Sequence, residues 1–130
     1  MGTLNVQADV RARLEKALAP VEVRATVPAD RPPSLVVVTR EGGGRDNALI
    51  DSPGIGIYCW APTEAEASEL SDRAAAVVES LPFSAGYARV DKESHRSDAE
   101  TETKSPRWYL SYTLKTFEPQ ETRRADNGRS

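Results

Sequence analysis

The hydrophobic positions of the chain fall into blocks of different period, and each period predicts an element. Across residues 5–18, Val6, Val10, Leu14 and Leu18 recur four apart while Arg11, Arg13, Glu15 and Lys16 fall elsewhere, which predicts an amphipathic helix closed by Pro20. Val21, Val23, Ala25 and Val27 then alternate with Glu22, Arg24 and Thr26, the pattern of a half-buried strand. Residues 28–33 contain three prolines, so the chain lacks the donors to continue a central strand and reads as a stiff connector. The β-branched run Leu35, Val36, Val37, Val38, Thr39 predicts a second strand that ends at Arg40. Residues 41–47 follow as a mobile surface loop, since Gly42, Gly43 and Gly44 offer no side-chain anchor. Ile55, Ile57 and Cys59 alternate with Gly56, Tyr58 and Trp60 to give a third strand with two usable faces, stopped by Pro62.

The clearest local signal is Thr63-Glu64-Ala65-Glu66, a capping box that starts a second helix. Ala67, Leu70, Ala74, Val77, Val78 and Leu81 supply its buried stripe, and Pro82 marks its end. Residues 87–93 and 108–117 read as strands four and five, the latter alternating Trp108, Leu110, Tyr112 and Leu114 with Tyr109, Ser111, Thr113 and Lys115. The polar stretch 94–106 between them is long for a hairpin loop. After Phe117 no apolar residue larger than alanine occurs, so residues 118–130 are predicted to be a polar tail, disordered on its own. The predicted order is α-β-β-β-α-β-β in one domain spanning 1–117. The fold class is α+β, a single antiparallel or mixed sheet of about five strands packed with two helices.

Composition sharpens this picture in three places. At 130 residues the chain is about one domain's worth, and with 38% hydrophobic but only 6% aromatic residues its core should be mostly aliphatic. The apolar runs are too short for a membrane helix, and the charges spread through the first eighteen residues do not support a secretory signal, so the mature protein is expected to begin near Met1. Cys59 is the only cysteine and cannot form an internal disulfide, which fits a reducing compartment. A net charge of -3 argues against a broad cationic surface for nucleic acid.

A search for chemistry finds little that converges. His95 is the only histidine and lies in the polar stretch, where a solvated side chain is the expected reading. Cys59 sits between Tyr58 and Trp60 in a strand, where a buried, inert thiol is expected, and a Cys59–His95 nucleophilic pair rests on nothing but their existence. The glycine run is followed by Arg45-Asp46-Asn47 rather than by a Gly-Lys-Ser/Thr ending and a helix, so it is not a phosphate loop. Asp91, Glu93, Asp98, Glu100 and Glu102 lack calcium-loop spacing. Tyr58, Trp60, Trp108, Tyr109 and Tyr112 could form a stacking platform for nucleic acid, but core packing is the commoner use of such residues. No catalytic residue, cofactor or metal is expected.

Four segments carry a resemblance: residues 33–47 (PSLVVVTREGGGRDN), Ile57-Tyr58-Cys59-Trp60-Ala61, Thr63-Glu64-Ala65-Glu66-Ala67, and Pro106-Arg107-Trp108-Tyr109. In this order they resemble the tail terminator, or tail completion, proteins of long-tailed bacteriophages, particularly those infecting actinobacteria, over roughly Val21 to Phe117. The resemblance implies a structural virion protein, assembled in the host cytoplasm. It implies a ring, usually of six subunits, that caps the tail tube, ends its polymerisation and joins it to the head connector or stopper. DNA would pass through the lumen without sequence-specific binding, and a negative balance suits a channel through which phosphates must slide. A ring needs two unlike surfaces on each subunit. One is expected at Arg40, Glu41, Gly42, Gly43, Gly44, Arg45, Asp46 and Asn47, running to Asp51. The other is expected at Asp98, Glu100 and Glu102 with helix two, where Arg40 and Arg45 of a neighbour would find acidic partners. Other readings are a different small neck protein, such as a head-tail stopper or adaptor, or a small hydrolase or ligand-binding α+β domain with a pocket near His95 or Cys59.

Overall fold

The computed structural model of the chain describes residues 5–45, 50–84 and 86–117. It consists of α1 (Val6–Leu18), β1 (Glu22–Arg24), β2 (Leu35–Arg45), β3 (Ile50–Trp60), α2 (Glu64–Glu79), a 3-10 turn (Leu81–Phe83), β4 (Tyr87–Ser97) and β5 (Arg107–Phe117). The strands form one mixed sheet in the order β1-β2-β3-β5-β4, antiparallel except for the parallel pair β1–β2. The fold is therefore α+β with two helices and five strands, in the element order that the hydrophobic periods predict.

Both helices start at a side-chain cap, of which the sequence pattern announced the one at Thr63. The Asn5 side chain accepts from the Ala8 amide, and Thr63 Oγ1 accepts from the Glu66 amide at 3.1 Å. The Thr63 hydroxyl also donates to the Glu66 carboxylate at 3.0 Å, tying the first turn of α2. Val6, Val10, Leu14 and Leu18 of α1 are all buried. On α2 the buried stripe is Ala67, Leu70, Ser71, Ala74, Ala75 and Val78, with Val77 only partly buried. Both helices pack on one face of the sheet, against Val36 and Val38 of β2, Ile55, Ile57 and Cys59 of β3, and Leu110, Tyr112 and Leu114 of β5.

The opposite face carries a smaller apolar cluster of Leu35, Val37 and Trp60 with Tyr58 against it. Strand alternation on β2 and β3 turns these residues away from the helices, in the register Leu35–Trp60 and Val37–Tyr58. The chain must return from Arg24 to place Leu35 beside Glu22, and residues 25–34 do so. The strand predicted over 21–27 therefore stops at Arg24, and Val27 is left half exposed.

Three further boundaries differ from the sequence pattern. The strand expected to end at Arg40 runs on to Arg45, so Glu41, Gly42, Gly43, Gly44 and Arg45 belong to β2 rather than to a surface loop. Pairing across the hairpin explains this. Arg40 lies opposite Ile55 and Gly43 opposite Pro53, so Glu41 and Gly42 together face Gly54, a bulge that Gly42 accommodates at φ +57°. Correspondingly β3 begins at Ile50 rather than Ile55. Asp46, Asn47 and the tail 118–130 lie outside the described residues. The polar stretch 94–106 likewise shortens to a turn over 98–106, because β4 continues to Ser97 opposite Trp108. Strand β4 is an edge strand interrupted by two bulges, at Tyr87/Arg89 and Lys92/Ser94.

The β2 bulge depends on glycines in its partner strand. A Cβ at Gly54 would overlap the Glu41 carbonyl oxygen, and one at Gly56 would overlap the Glu41 carboxylate. Gly54→Ala is therefore expected to destabilise the protein by about 1–3 kcal/mol, because backbone must move to relieve the clash. Gly56→Ala should cost about 0.5–1.5 kcal/mol, because the carboxylate can swing away at the loss of one hydrogen bond. Urea unfolding of the two variants checks the order.

Candidate functional site

The second face of the sheet brings together the densest group of aromatic and charged side chains on described residues. Strand alternation puts Val37 and Thr39 of β2, Tyr58 and Trp60 of β3, and Arg107 and Tyr109 of β5 on this face, in the register Val37–Tyr58–Tyr109. Tyr58 and Tyr109 rings lie 4.9 Å apart, and Tyr58 and Trp60 6.2 Å apart. Three guanidinium groups lie against these rings. Arg107 is 5.2 Å from Tyr58 and 5.4 Å from Trp60, Arg31 is 5.4 Å from Trp60, and Arg96 is 5.1 Å from Tyr109.

Carboxylates hold these cations in place. Arg107 donates to the Asp98 carbonyl at 2.8 Å and to its carboxylate at 3.1 Å. Trp60 Nε1 donates to Glu100 Oε1 at 2.8 Å, and Thr103 and Arg31 face the same oxygen at 3.2 and 3.6 Å. The indole hydrogen bond is the main reason that Glu100 titrates below its ordinary value; partial burial opposes it, and Thr103, Arg31 and Arg107 add to it. On the other side of the tyrosine pair, Tyr109 donates to Glu41 at 2.6 Å. Burial, with the Glu41 charge, raises the phenol pKa values of both Tyr58 and Tyr109.

Between the connector and this face lies an open cavity of about 470 Å³, lined by Ala25, Thr26 and Val27, by Val37, Thr39, Tyr58 and Trp60, and at its polar end by Asp98, Glu100 and Arg107. Its size falls in the range of ligand pockets, roughly 300–1,000 Å³. It does not adjoin Cys59 or His95, which lie on the helix-covered side.

The residues expected at subunit contacts are thus dispersed. Arg40 is exposed and turns its Nε toward the Gly42 carbonyl at 3.3 Å, while Glu41 folds over the second face. Gly43, Gly44 and Arg45 pair with Pro53, Ser52 and Asp51 at one end of the sheet. Asp98 and Glu100 lie beyond the other end and are engaged within their own chain; Glu102 is exposed. The structure does not bring the two groups together within one chain.

His95 departs from the solvated side chain expected of it. It lies on β4 with its side chain only 18% exposed, edge-on to Trp108 at 5.5 Å. Ser71 Oγ donates to the Ser68 carbonyl at 2.7 Å, so it accepts from His95 Nε2 at 2.9 Å, which assigns the ring hydrogen to Nε2. Asp72 approaches that same nitrogen at 3.4 Å, whereas Nδ1 faces Lys92 Nζ. A serine-histidine-aspartate relay needs the hydroxyl and the carboxylate on opposite ring nitrogens, so this trio orients a buried serine and is not arranged as a nucleophile. Ser71 was legible in the pattern, since it falls at helical spacing between Ala67 and Ala74. Cys59 is fully buried, and burial pushes its thiol up to about 12. Among the described residues, no group of three or more His, Cys, Asp and Glu side chains is placed to hold a metal ion, and no helix is long and apolar enough to cross a membrane.

Known protein families and curated proteins offer no match to this chain.

Two outcomes are expected of this geometry. The lowered pKa of Glu100 stabilises the folded state above the ordinary value of 4.5, and that stabilisation is lost as pH falls through the folded-state value. The melting temperatures of the wild type and Glu100→Gln should therefore differ most above pH 4.5 and converge in more acidic solution. Cys59 should react with a thiol reagent only at the rate of global unfolding, measured in native buffer and in increasing urea.

Proposed function

We propose that this chain is a ring-forming structural protein of a phage tail, of the tail terminator kind, which caps the tube and presents a docking surface to the head connector. The resemblance of its segments is the starting point. The observation that carries the reading further is where those segments lie: β2, the end of β3, the start of α2 and the start of β5. Residues 57–61 and 106–109 meet directly, Tyr58 opposite Tyr109 and Trp60 opposite Arg107. The similarity thus follows one contiguous structural unit rather than scattered surface positions.

The polar groups of that unit support an architectural role. Within it Arg107 is held by Asp98, Trp60 by Glu100 and Tyr109 by Glu41, and beside it His95 and Ser71 are spent on packing α2 against β4. The proposed ring is heterologous, each subunit using different surfaces toward its two neighbours. The cavity beside Tyr58 and Trp60 favours a second reading, a small ligand-binding domain.

Adding the purified protein to growing tail tubes separates the two. Capping predicts that tube length stops increasing and that electron microscopy finds a ring of about six copies on tube ends. Tubes that lengthen at the same rate, with bare ends, would refute the reading.

A further inference from the structure

The connector over 25–34 shelters part of the second face, yet none of its own residues is buried. Across the cavity from it, Val37 and Trp60 are only 2% exposed. Val27, its one branched apolar side chain, is 50% exposed and lines the cavity instead of filling it. A segment that shelters others without being buried has little apolar contact to hold it down.

Backbone pairing does not hold it either. The last residue of β1, Arg24, lies opposite Val37, and among the described residues no backbone hydrogen bond joins residues 26–33 to another segment. One side chain makes the attachment. Arg31 lies 5.4 Å from the Trp60 ring, donates to Ser105 Oγ at 3.0 Å and approaches Glu100 at 3.6 Å. Among the described residues, no other side chain of the connector forms a hydrogen bond or ion pair with the rest of the chain. Segments with few buried contacts and few backbone bonds open at a lower free energy than the whole fold. We propose that residues 25–34 are a strap latched by Arg31, which swings off the second face as a unit while the sheet and helices stay folded, a motion that does not depend on assembly into a ring.

The strap is stiff within itself. Pro28, Pro32 and Pro33 fix their own φ and each restricts the residue before it, so motion concentrates at the ends, next to Arg24 and Leu35. The catch is firm. Ser105 and Glu100 sit on a turn closed by its own backbone, the Glu100 amide on the Ser105 carbonyl at 3.1 Å and the Lys104 amide on the Glu100 carbonyl at 2.9 Å, and Trp60 holds the Glu100 carboxylate. Opening therefore breaks the contacts of Arg31 and leaves the indole bond in place. The latch itself is weak, because the Arg31 and Glu100 side chains remain 22% and 28% exposed and partly hydrated pairs of this kind hold only modestly. With the strap away, the cavity loses the wall of Ala25, Thr26 and Val27, and the row Val37, Tyr58, Trp60 is uncovered. Arg31 thus sets how often that row can be reached.

Thiol labelling of the full chain tests this, with buried Cys59 as the reference for global unfolding. In Val37→Cys protein the thiol at position 37 is expected to react faster than Cys59, at a rate that hardly changes in low urea, whereas labelling of Cys59 climbs steeply. Adding Arg31→Ala is expected to speed labelling at position 37 roughly tenfold. Adding Arg24→Ala instead, which removes an arginine paired with Glu22 and not with the turn, should leave it unchanged. The same urea dependence at both thiols would overturn the proposal, as would no acceleration by Arg31→Ala or an equal one by Arg24→Ala. Acrylamide quenching gives a second readout that needs no cysteine at position 37. In Trp108→Phe protein, where Trp60 is the only tryptophan, Arg31→Ala should raise quenching while the far-ultraviolet circular dichroism spectrum stays the same. Unchanged quenching, or a rise accompanied by loss of secondary structure, would refute the strap.

Discussion

The hydrogen bond from the Trp60 indole to the Glu100 carboxylate ties the end of β3 to the turn over 98–106, forty residues further along the chain. It fixes the ring at the end of β3, and through it the turn over 98–106 is drawn onto the sheet. Arg31 then has both a ring to lie on and a carboxylate to approach, which anchors the connector over 25–34. Arg31 also donates to Ser105 at 3.0 Å, closing the connector against the turn. A charge-assisted bond of this kind is stronger than a neutral one, and its partial shielding from water keeps it so. Together with the Arg107–Asp98 pair it holds the turn against the second face.

The helix-covered face is more conventional, and its polar groups are matched with equal care. The Tyr112 phenol donates to Glu79, which also pairs with Lys92 at 2.9 Å. Burial pushes the Glu79 carboxyl upward, but the hydrogen bonds from Lys92 and Tyr112 outweigh it and leave the group below its ordinary value. Tyr87 donates to Asp9 across the α1 interface, and burial, then the aspartate, raises its phenol. Each large phenol in the core thus reaches a carboxylate on a helix, and the helices are oriented as well as held.

The sequence showed the helix-covered half of this design and little of the other. Four-residue spacing in α1, the Thr63 cap and the alternation of β5 are local signals, and local periodicity reports burial against a single face. The second face depends on pairs far apart in sequence: Arg31 with Trp60, Tyr109 with Glu41, Arg107 with Asp98. Nothing near Glu100 announces an indole forty residues away. The glycine run misled for a related reason. Read alone, Gly42-Gly43-Gly44 has the composition of a loop, yet Gly54 across the hairpin lets the bulged strand approach, and the strand continues. His95 likewise looked solvated because its own neighbours are polar, whereas its partners Ser71 and Trp108 come from other elements.

The two bulges of β4 bear on how copies of this chain can meet. An uninterrupted edge strand of eleven residues would be a template on which further strands could be laid indefinitely. Here the spacing of backbone donors and acceptors is broken twice, and exposed positions along the strand carry Arg89, Lys92, Glu93 and Arg96. Growth by adding sheet to sheet is thereby discouraged along this flank. Any contact made along this flank would rest on side chains of defined shape, which fix a geometry that an open-ended ladder of peptide groups does not.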